Sequence, residues 1–175
     1  MIDERLRAAI RDVADFPKPG IIFKDITPIL KDPDLCEAVV ERMAEAIDPN
    51  VVDVIAGIES RGFLFGLMLA QRLGKPFVPV RKAGKLPYDT VQQEYALEYG
   101  QATIEIHADA FTAGSRVLIH DDLLATGGTV AATSQLIQRL GGSIAGYAFI
   151  ISLDFLNGKE RLTAFSPHVH SLVAY

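Results

Sequence analysis

One stretch of the chain, residues 116–129, joins an apolar strand to a helix through a loop of glycine and threonine. Residues 117–119 are apolar and indicate a buried strand, which ends at two acids, Asp121 and Asp122. The loop at residues 125–129 then leads into a helical pattern. Backbone N–H groups of such a loop and the positive end of the helix dipole attract a phosphate. Carboxylates accept hydrogen bonds from hydroxyl groups, so the stretch predicts a site for a phosphorylated sugar.

The composition of this loop argues against two common nucleotide-binding motifs. It lacks the Gly-x-x-x-x-Gly-Lys of a P-loop, and the chain has no Gly-x-Gly-x-x-Gly. The alternative to a phosphosugar site is a surface strand–turn–helix whose acids are simply solvated.

The bulk properties of the chain restrict its class. At 175 residues, 49% of them hydrophobic, it is expected to form one domain with a substantial core. A net charge of −5 without a basic block argues against non-specific nucleic-acid binding. A single cysteine, Cys36, forbids an intrachain disulfide and a multi-cysteine metal site. The sequence has neither an apolar signal core nor a membrane-spanning run, so we predict a soluble cytoplasmic protein.

Hydrophobic periodicity predicts alternating helices and strands. The predicted helices cover residues 5–16, 35–47 (with Asp34 as N-cap), 63–73, 128–140 and 158–163, and the predicted strands cover residues 51–56, 76–80, 95–99, 102–106, 116–120, 144–151 and 169–173. The pair 95–99 and 102–106 is expected to be a hairpin in which Glu105 and His107 form the polar face. This order predicts an α/β, Rossmann-like fold, with a central parallel β-sheet flanked by helices.

Ligands of such sheets bind beyond the carboxyl ends of the strands, where two further loops carry cations. The loop at residues 57–62 opens a helix, and its amides and Arg61 can bind an anion, although an ordinary helix start is the alternative. A later loop carries Arg81, Lys82 and Lys85 beside glycine and proline. It is either a solvated basic loop or a lid over a polyanionic leaving group.

Taken in order along residues 5–173, these motifs resemble the adenine phosphoribosyltransferases of the type I phosphoribosyltransferase family. Residues 116–129 are similar to that family's signature for 5-phospho-α-D-ribose 1-diphosphate (PRPP). The segments Arg-Lys-Ala-Gly-Lys-Leu-Pro at 81–87 and Leu-Glu-Tyr-Gly at 97–100 resemble the two ends of its catalytic lid. Residues 19–30 resemble its adenine-binding hood.

The resemblance implies a fold, a reaction and partners. It implies a single domain at residues 1–175, with a hood from about 16–34 and 152–175 and a flexible lid at about 82–98. The implied reaction of purine salvage converts adenine and PRPP into AMP and pyrophosphate. Mg²⁺ would be held mainly by PRPP, and the protein would be a homodimer that binds neither nucleic acid nor membrane. The alternatives are a 6-oxopurine or orotate phosphoribosyltransferase and a non-catalytic PRPP-sensing regulator.

The resemblance also implies roles for individual residues. PRPP binding falls to Asp121, Asp122, Ala125, Thr126, Gly127, Gly128 and Thr129; pyrophosphate binding to Ser60, Arg61, Gly62, Arg81, Lys82 and Lys85; adenine binding to Ile22, Phe23, Lys24 and Leu153; and catalysis to Glu98, as general acid toward the purine N7. Arg81 is also a candidate for reaching a partner's site. The family often has a cis peptide in the pyrophosphate loop, here between Glu59 and Ser60.

Two positions depart from the family pattern. Ser152 stands where a glutamate is expected, and His120 stands where an aliphatic residue is normal. His120 either couples to the charges of the adjacent acids near neutral pH or is a hydrogen-bonded histidine tolerated at a strand end.

Overall fold

A mixed β-sheet organises the computed structural model, which describes residues 1–97 and 100–175. Within them the strands are β1 Arg11–Ala14, β2 Ile22–Asp25, β3 Val54–Ile58, β4 Phe77–Lys82, β5 Thr90–Ala96, β6 Gln101–His107, β7 Arg116–Leu124, β8 Ser143–Ser152 and β9 Val169–Ala174. The helices are α1 Ile2–Ala9, α2 Pro33–Glu45, α3 Gly62–Leu73, α4 Gly128–Arg139 and α5 Gly158–Leu162, with single 3₁₀ turns at Ile29–Lys31, Pro49–Val51 and Asp154–Leu156.

The main sheet of the described residues has seven strands in the order β5–β6–β4–β3–β7–β8–β9. Strands β4, β3, β7, β8 and β9 run parallel, and the β5–β6 hairpin adds antiparallel to β4. The register pairs Gly57 of β3 with His120 of β7. The loops that follow these two strands therefore start at the same edge of the sheet, where the acids of β7 also lie.

Apolar side chains cover the sheet on both faces. One cluster joins α1, α2 and α3 to the sheet through residues such as Leu6, Val39 and Phe65. The other joins α4 to the opposite face through residues such as Leu136 and Ile137. The prediction of an α/β fold with helices on both faces is confirmed. No helix among the described residues is long and apolar enough to cross a bilayer.

The predicted first helix is wrong in its second half. The helix ends at Ala9, and Arg11–Ala14 instead form β1, which pairs antiparallel with β2. Ile10 is already extended, with ψ 126°, and its buried side chain packs in the same cluster as Leu6. The apolar stripe is thus shared between a helix and a strand, a pattern that periodicity alone reads as one helix.

The cap of the next helix also differs from the prediction. Asp32, not Asp34, is the N-cap of α2, and its carboxylate accepts a hydrogen bond from the Leu35 N–H at 3.0 Å. Pro33 occupies the first helical turn, where its fixed φ fits and its missing N–H has no consequence.

Candidate active site

Asp121 and Asp122 are adjacent in β7 near the carboxyl edge of the sheet, and the strand continues beyond them to Leu124. The Asp122 N–H donates to Asp121 Oδ1 at 2.9 Å, and Arg61 Nε lies 2.9 Å from Asp122 Oδ2. This ion pair lacks hydrogen-bond geometry, so the buried Oδ2 has no directed donor among the described residues. Burial, and next the charge of Asp122, raise the pKa of Asp121 well above its usual value. Asp121 therefore holds a proton more readily than an ordinary aspartate.

The loop after these acids forms a cavity of about 670 Å³. Asp121, residues 125–129, Tyr95 and Arg161 are among the residues that line it. Gly127 adopts φ 76°, and α4 begins at the next residue, so the N–H groups of its first turn are available to a ligand. Across the cavity, Thr129 Oγ1 donates to Tyr95 OH at 3.0 Å. The predicted phosphate loop is thus gathered around a cavity, with a strand of the hairpin as its opposite wall.

Helix α5 packs directly on this loop. A Cβ on Gly158 would collide with the carbonyl oxygen of Ala125, and one on Gly127 would lie 3.0 Å from the carbonyl oxygen of Gly158. Only glycine allows such an approach of the two backbones. The contact fixes the loop and brings the helix to the rim of the cavity.

The predicted pyrophosphate loop lies beside the acid pair. The expected cis peptide between Glu59 and Ser60 is present. A Cβ on Gly62 would lie only 2.9 Å from Asp121 Oδ1. Because glycine has no Cβ, the first residue of α3 can lie in contact with this carboxyl group. The guanidinium carbon of Arg61 lies 4.7 Å from the ring centroid of Phe23, a cation–π contact. The structure therefore brings together the loop, the acids and a hood residue.

Two carboxylates hold the base of the cationic lid. Glu59 accepts from Arg81 Nη2 at 2.8 Å and from the Lys82 N–H at 2.6 Å. Glu105 Oε1 accepts the N–H groups of Lys85 at 2.9 Å and of Leu86 at 2.7 Å. Arg81 is thereby engaged within its own chain. The backbone that carries the predicted cations is anchored at both ends.

Glu105 is a residue that sequence reasoning misplaced. The predicted alternation assigned it to a polar face, but its side chain is only 2% exposed. Its second oxygen, Oε2, accepts from Gln92 Nε2 at 3.1 Å and Thr90 Oγ1 at 3.4 Å. Burial acts to raise its pKa, but hydrogen bonds led by the Leu86 and Gly84 N–H groups outweigh it, and the pKa is lowered. The turn of the lid base covers this face, a long-range contact that a period of two does not reveal.

The residues predicted to form the hood lie on β2 and directly after β8. Ile22 is exposed, and Lys24 Nζ donates to Asp12 at 2.7 Å and lies 3.8 Å from the Tyr175 ring centroid. The Leu153 N–H donates to the carbonyl of Leu124, the last residue of β7. Because Lys24 and Tyr175 touch, the two sequence segments assigned to the hood contact each other.

His120 does not couple to the adjacent acids near neutral pH, which was one of the two predictions for it. It is fully buried, and its ring nitrogens make no hydrogen bond of good geometry among the described residues, although the backbone of Ala148 is near enough to favour the protonated ring. Burial lowers its pKa to about 4, with the backbone of Ala148 opposing that shift. The imidazole is therefore neutral at physiological pH. It is buried because α3 covers it: a Cβ on Gly66 of that helix would lie only 3.2 Å from Cδ2 of the ring. The predicted catalytic residue, Glu98, lies outside the described residues.

A sheet whose carboxyl edge gathers an acid pair, a loop rich in glycine and threonine, and a cationic loop has the arrangement expected of an α/β protein that binds a phosphorylated sugar. A family model described as the phosphoribosyl transferase domain matches residues 27–162. The chain is 54% identical over 175 residues to an adenine phosphoribosyltransferase of Cytophaga hutchinsonii. This match covers all of this chain and 97% of that protein.

Solved structures agree with this relationship. The adenine phosphoribosyltransferase of Thermoanaerobacter pseudethanolicus superposes with a TM-score of 0.95 at 48% identity, over the whole of both chains. The enzyme of Saccharomyces cerevisiae, complexed with adenine and an imino-altritol 1,6-bisphosphate, gives 0.89 at 40% identity over 98% of both chains. The chain therefore belongs to the phosphoribosyltransferase family and, within it, to the adenine phosphoribosyltransferases, which are pentosyltransferase enzymes.

Proposed function

We propose that this chain transfers the phosphoribosyl group of PRPP to adenine, giving AMP and pyrophosphate. The observation that carries the proposal is the meeting of the acid pair, the phosphate loop and the Arg61 loop at one edge of the sheet. A ribose that carries a 5′-phosphate and a 1-diphosphate needs these three kinds of contact together.

The acid pair and the phosphate loop have separate roles in binding PRPP. Asp121 and Asp122 accept hydrogen bonds from the ribose 2′- and 3′-hydroxyls. Ala125, Thr126, Gly127, Gly128 and Thr129 surround the 5′-phosphate, which the start of α4 attracts. The ribose is thereby fixed with C1′ directed toward the other loops.

The leaving pyrophosphate is stabilised by cations. As the C1′–O bond breaks, positive charge develops at C1′ and negative charge on the diphosphate. Ser60, Arg61 and Gly62 bind this diphosphate from the loop after β3, while Arg81, Lys82 and Lys85 supply charge from the lid. A closed lid, residues 82–98, excludes water that would otherwise hydrolyse the cation.

Adenine binds under the hood, residues 16–34 and 152–175. The backbone groups of Ile22 and Lys24 read the edge of the base, and Phe23 and Leu153 pack on its faces. N9 of adenine forms the new bond to C1′. Adenine reacts as its N7–H tautomer, so that the N9 lone pair attacks C1′ while Glu98 accepts the N7 proton; in the reverse direction Glu98 donates this proton to N7 as the C1′–N9 bond breaks.

Mg²⁺ fits this arrangement as an ion held mainly by PRPP. Within residues 1–97 and 100–175, no three His, Cys, Asp or Glu side chains cluster as metal ligands. Mg²⁺ retains waters and binds substrate phosphates, so the oxygens of PRPP would supply most of its ligands. When bound, the ion neutralises charge on the diphosphate.

The test is AMP formation from adenine, PRPP and Mg²⁺, with hypoxanthine, guanine and orotate as competitors. We expect adenine to be used in preference to all three. Preferred turnover of hypoxanthine or orotate would instead make the chain a different phosphoribosyltransferase, and PRPP binding without any turnover would make it a sensor. Glu98→Gln should abolish most activity while leaving PRPP binding intact.

We further propose that the enzyme is a cytoplasmic homodimer. Leu64, Leu67 and Met68 are exposed along one side of α3, at the i, i+3, i+4 spacing that forms a continuous apolar stripe. The stripe starts two residues after the Arg61–Gly62 turn, so a second copy would pack next to the pyrophosphate loop. Sedimentation of Leu67→Glu should then give a monomer, whereas a wild-type monomer would contradict the proposal.

A further inference from the structure

Arg161 lies at the phosphate loop without having been assigned to it by any sequence motif. It lines the same cavity as Thr126 and Thr129, and its side chain is exposed. Its Nη1 lies 3.2 Å from the position that a Cβ of Gly128 would occupy, directly beside the first residue of α4. The tight contact of Gly158 with Ala125 fixes α5, and with it the backbone of Arg161, at this place.

The guanidinium of Arg161 has no partner in the part of the chain that is described. No hydrogen bond or ion pair with any residue of 1–97 or 100–175 engages it. Its neighbour on α5, Lys159, differs because it pairs with Asp154 at 2.9 Å. An unpaired cation at the start of the twelve-residue helix α4 faces the positive end of the helix dipole, which is unfavourable by itself. A dianion placed between the guanidinium and the helix start would interact favourably with both.

We propose that Arg161 binds the 5′-phosphate of PRPP, as a side-chain ligand added to the backbone N–H groups of the loop. This inference rests on the proposed function. The planar guanidinium presents paired N–H donors that match two oxygens of a phosphate, which a lysine does not reproduce. The contact is made equally in the ground state and the transition state, because the 5′-phosphate does not react. It therefore contributes to the binding of PRPP and not to the chemical step.

Kinetics of Arg161→Ala, Arg161→Lys and the control Lys159→Ala test the proposal. We expect Arg161→Ala to raise the KM for PRPP about 10- to 100-fold, in line with the loss of a charge-assisted, two-point contact, with kcat and the KM for adenine unchanged. Arg161→Lys should recover part of the loss, and Lys159→Ala should behave as the wild type. A merely structural role would alter thermal stability and both substrates together.

Calorimetric binding of ribose 5-phosphate to the same variants separates this inference from the proposed function, since it needs no turnover. Arg161→Ala should weaken this binding by the same factor as the KM for PRPP, and should leave pyrophosphate binding unchanged. Unchanged affinity for ribose 5-phosphate would overturn the role of Arg161. If the wild type formed no AMP while Arg161→Ala still lost affinity, the phosphate site would stand and the proposed reaction would fall.

Discussion

Replacing Glu105 by glutamine tests whether the lid base is held by a buried carboxylate. The side chain is 2% exposed, and all of its partners are donors: two backbone N–H groups at Oε1, and Gln92 and Thr90 at Oε2. A glutamine keeps the size but offers one acceptor atom, so its amide NH₂ must face either the two backbone N–H groups or Gln92 Nε2. A buried donor left without an acceptor costs about 1–3 kcal/mol.

We expect Glu105→Gln to lower the free energy of unfolding by about 2 kcal/mol in urea denaturation. Because a neutral amide holds the Lys85 N–H more weakly than a carboxylate does, or not at all if its NH₂ faces that side, kcat/KM for PRPP should also fall, by about tenfold if 1.4 kcal/mol of positioning is lost. The folded pKa of Glu105 is lowered, so its contribution is present above the unfolded pKa and is lost as the pH falls through the folded one. The difference between variant and wild type should therefore shrink in acid.

The matched control is Glu94→Gln, which makes the same change at an exposed position of the neighbouring strand β5. It should leave both quantities unchanged. If Glu105→Gln were as stable as this control at neutral pH, the buried carboxylate would not be what holds the lid base.

Three further substitutions follow from the geometry of the site. Asp121→Asn should raise the Tm at neutral pH, because the folded pKa of Asp121 is raised and its ionisation beside Asp122 costs stability as the pH rises. It should also raise the KM for PRPP, since the proposed ribose contact is weakened. Scanning calorimetry should show that the gain in Tm vanishes in acid, and a gain that grows in acid would refute this reasoning. Gly158→Ala should destabilise the fold by about 1–3 kcal/mol, since the new methyl group displaces the backbone of Ala125. The same displacement should raise the KM for PRPP. A variant with wild-type kinetics would show that PRPP binding does not depend on the position of this loop. His120→Leu should raise the free energy of unfolding by about 1–2 kcal/mol, because it removes buried ring nitrogens that make no hydrogen bond of good geometry among the described residues. Chemical denaturation decides this, and a loss of stability would show that the contact with the Ala148 backbone stabilises the ring.

The parts of the site that the sequence predicted are those in which the motif and the geometry are local. Residues 116–129 form strand, acids, loop and helix start within one continuous segment, so their order along the chain is also their order in space. The parts that were missed depend on distant segments. Glu105 is buried by a turn some twenty residues earlier, and Arg161 reaches the loop because two glycine-lined backbones pack together. Neither contact leaves a periodic signal in the sequence.

Under the proposed function, Arg61 links the three substrate subsites thermodynamically. One guanidinium lies beside Asp122 at the proposed ribose site and over the ring of Phe23 in the proposed hood, while its backbone belongs to the loop proposed to receive pyrophosphate. An anion that draws this side chain toward itself removes a counter-charge from the acids and a packing surface from the hood. The affinity of each ligand is then a function of which others are bound, and by linkage the effect is reciprocal. With these proposed subsites, a single side chain would give an enzyme with two substrates a means of sensing, at either site, whether the other is filled.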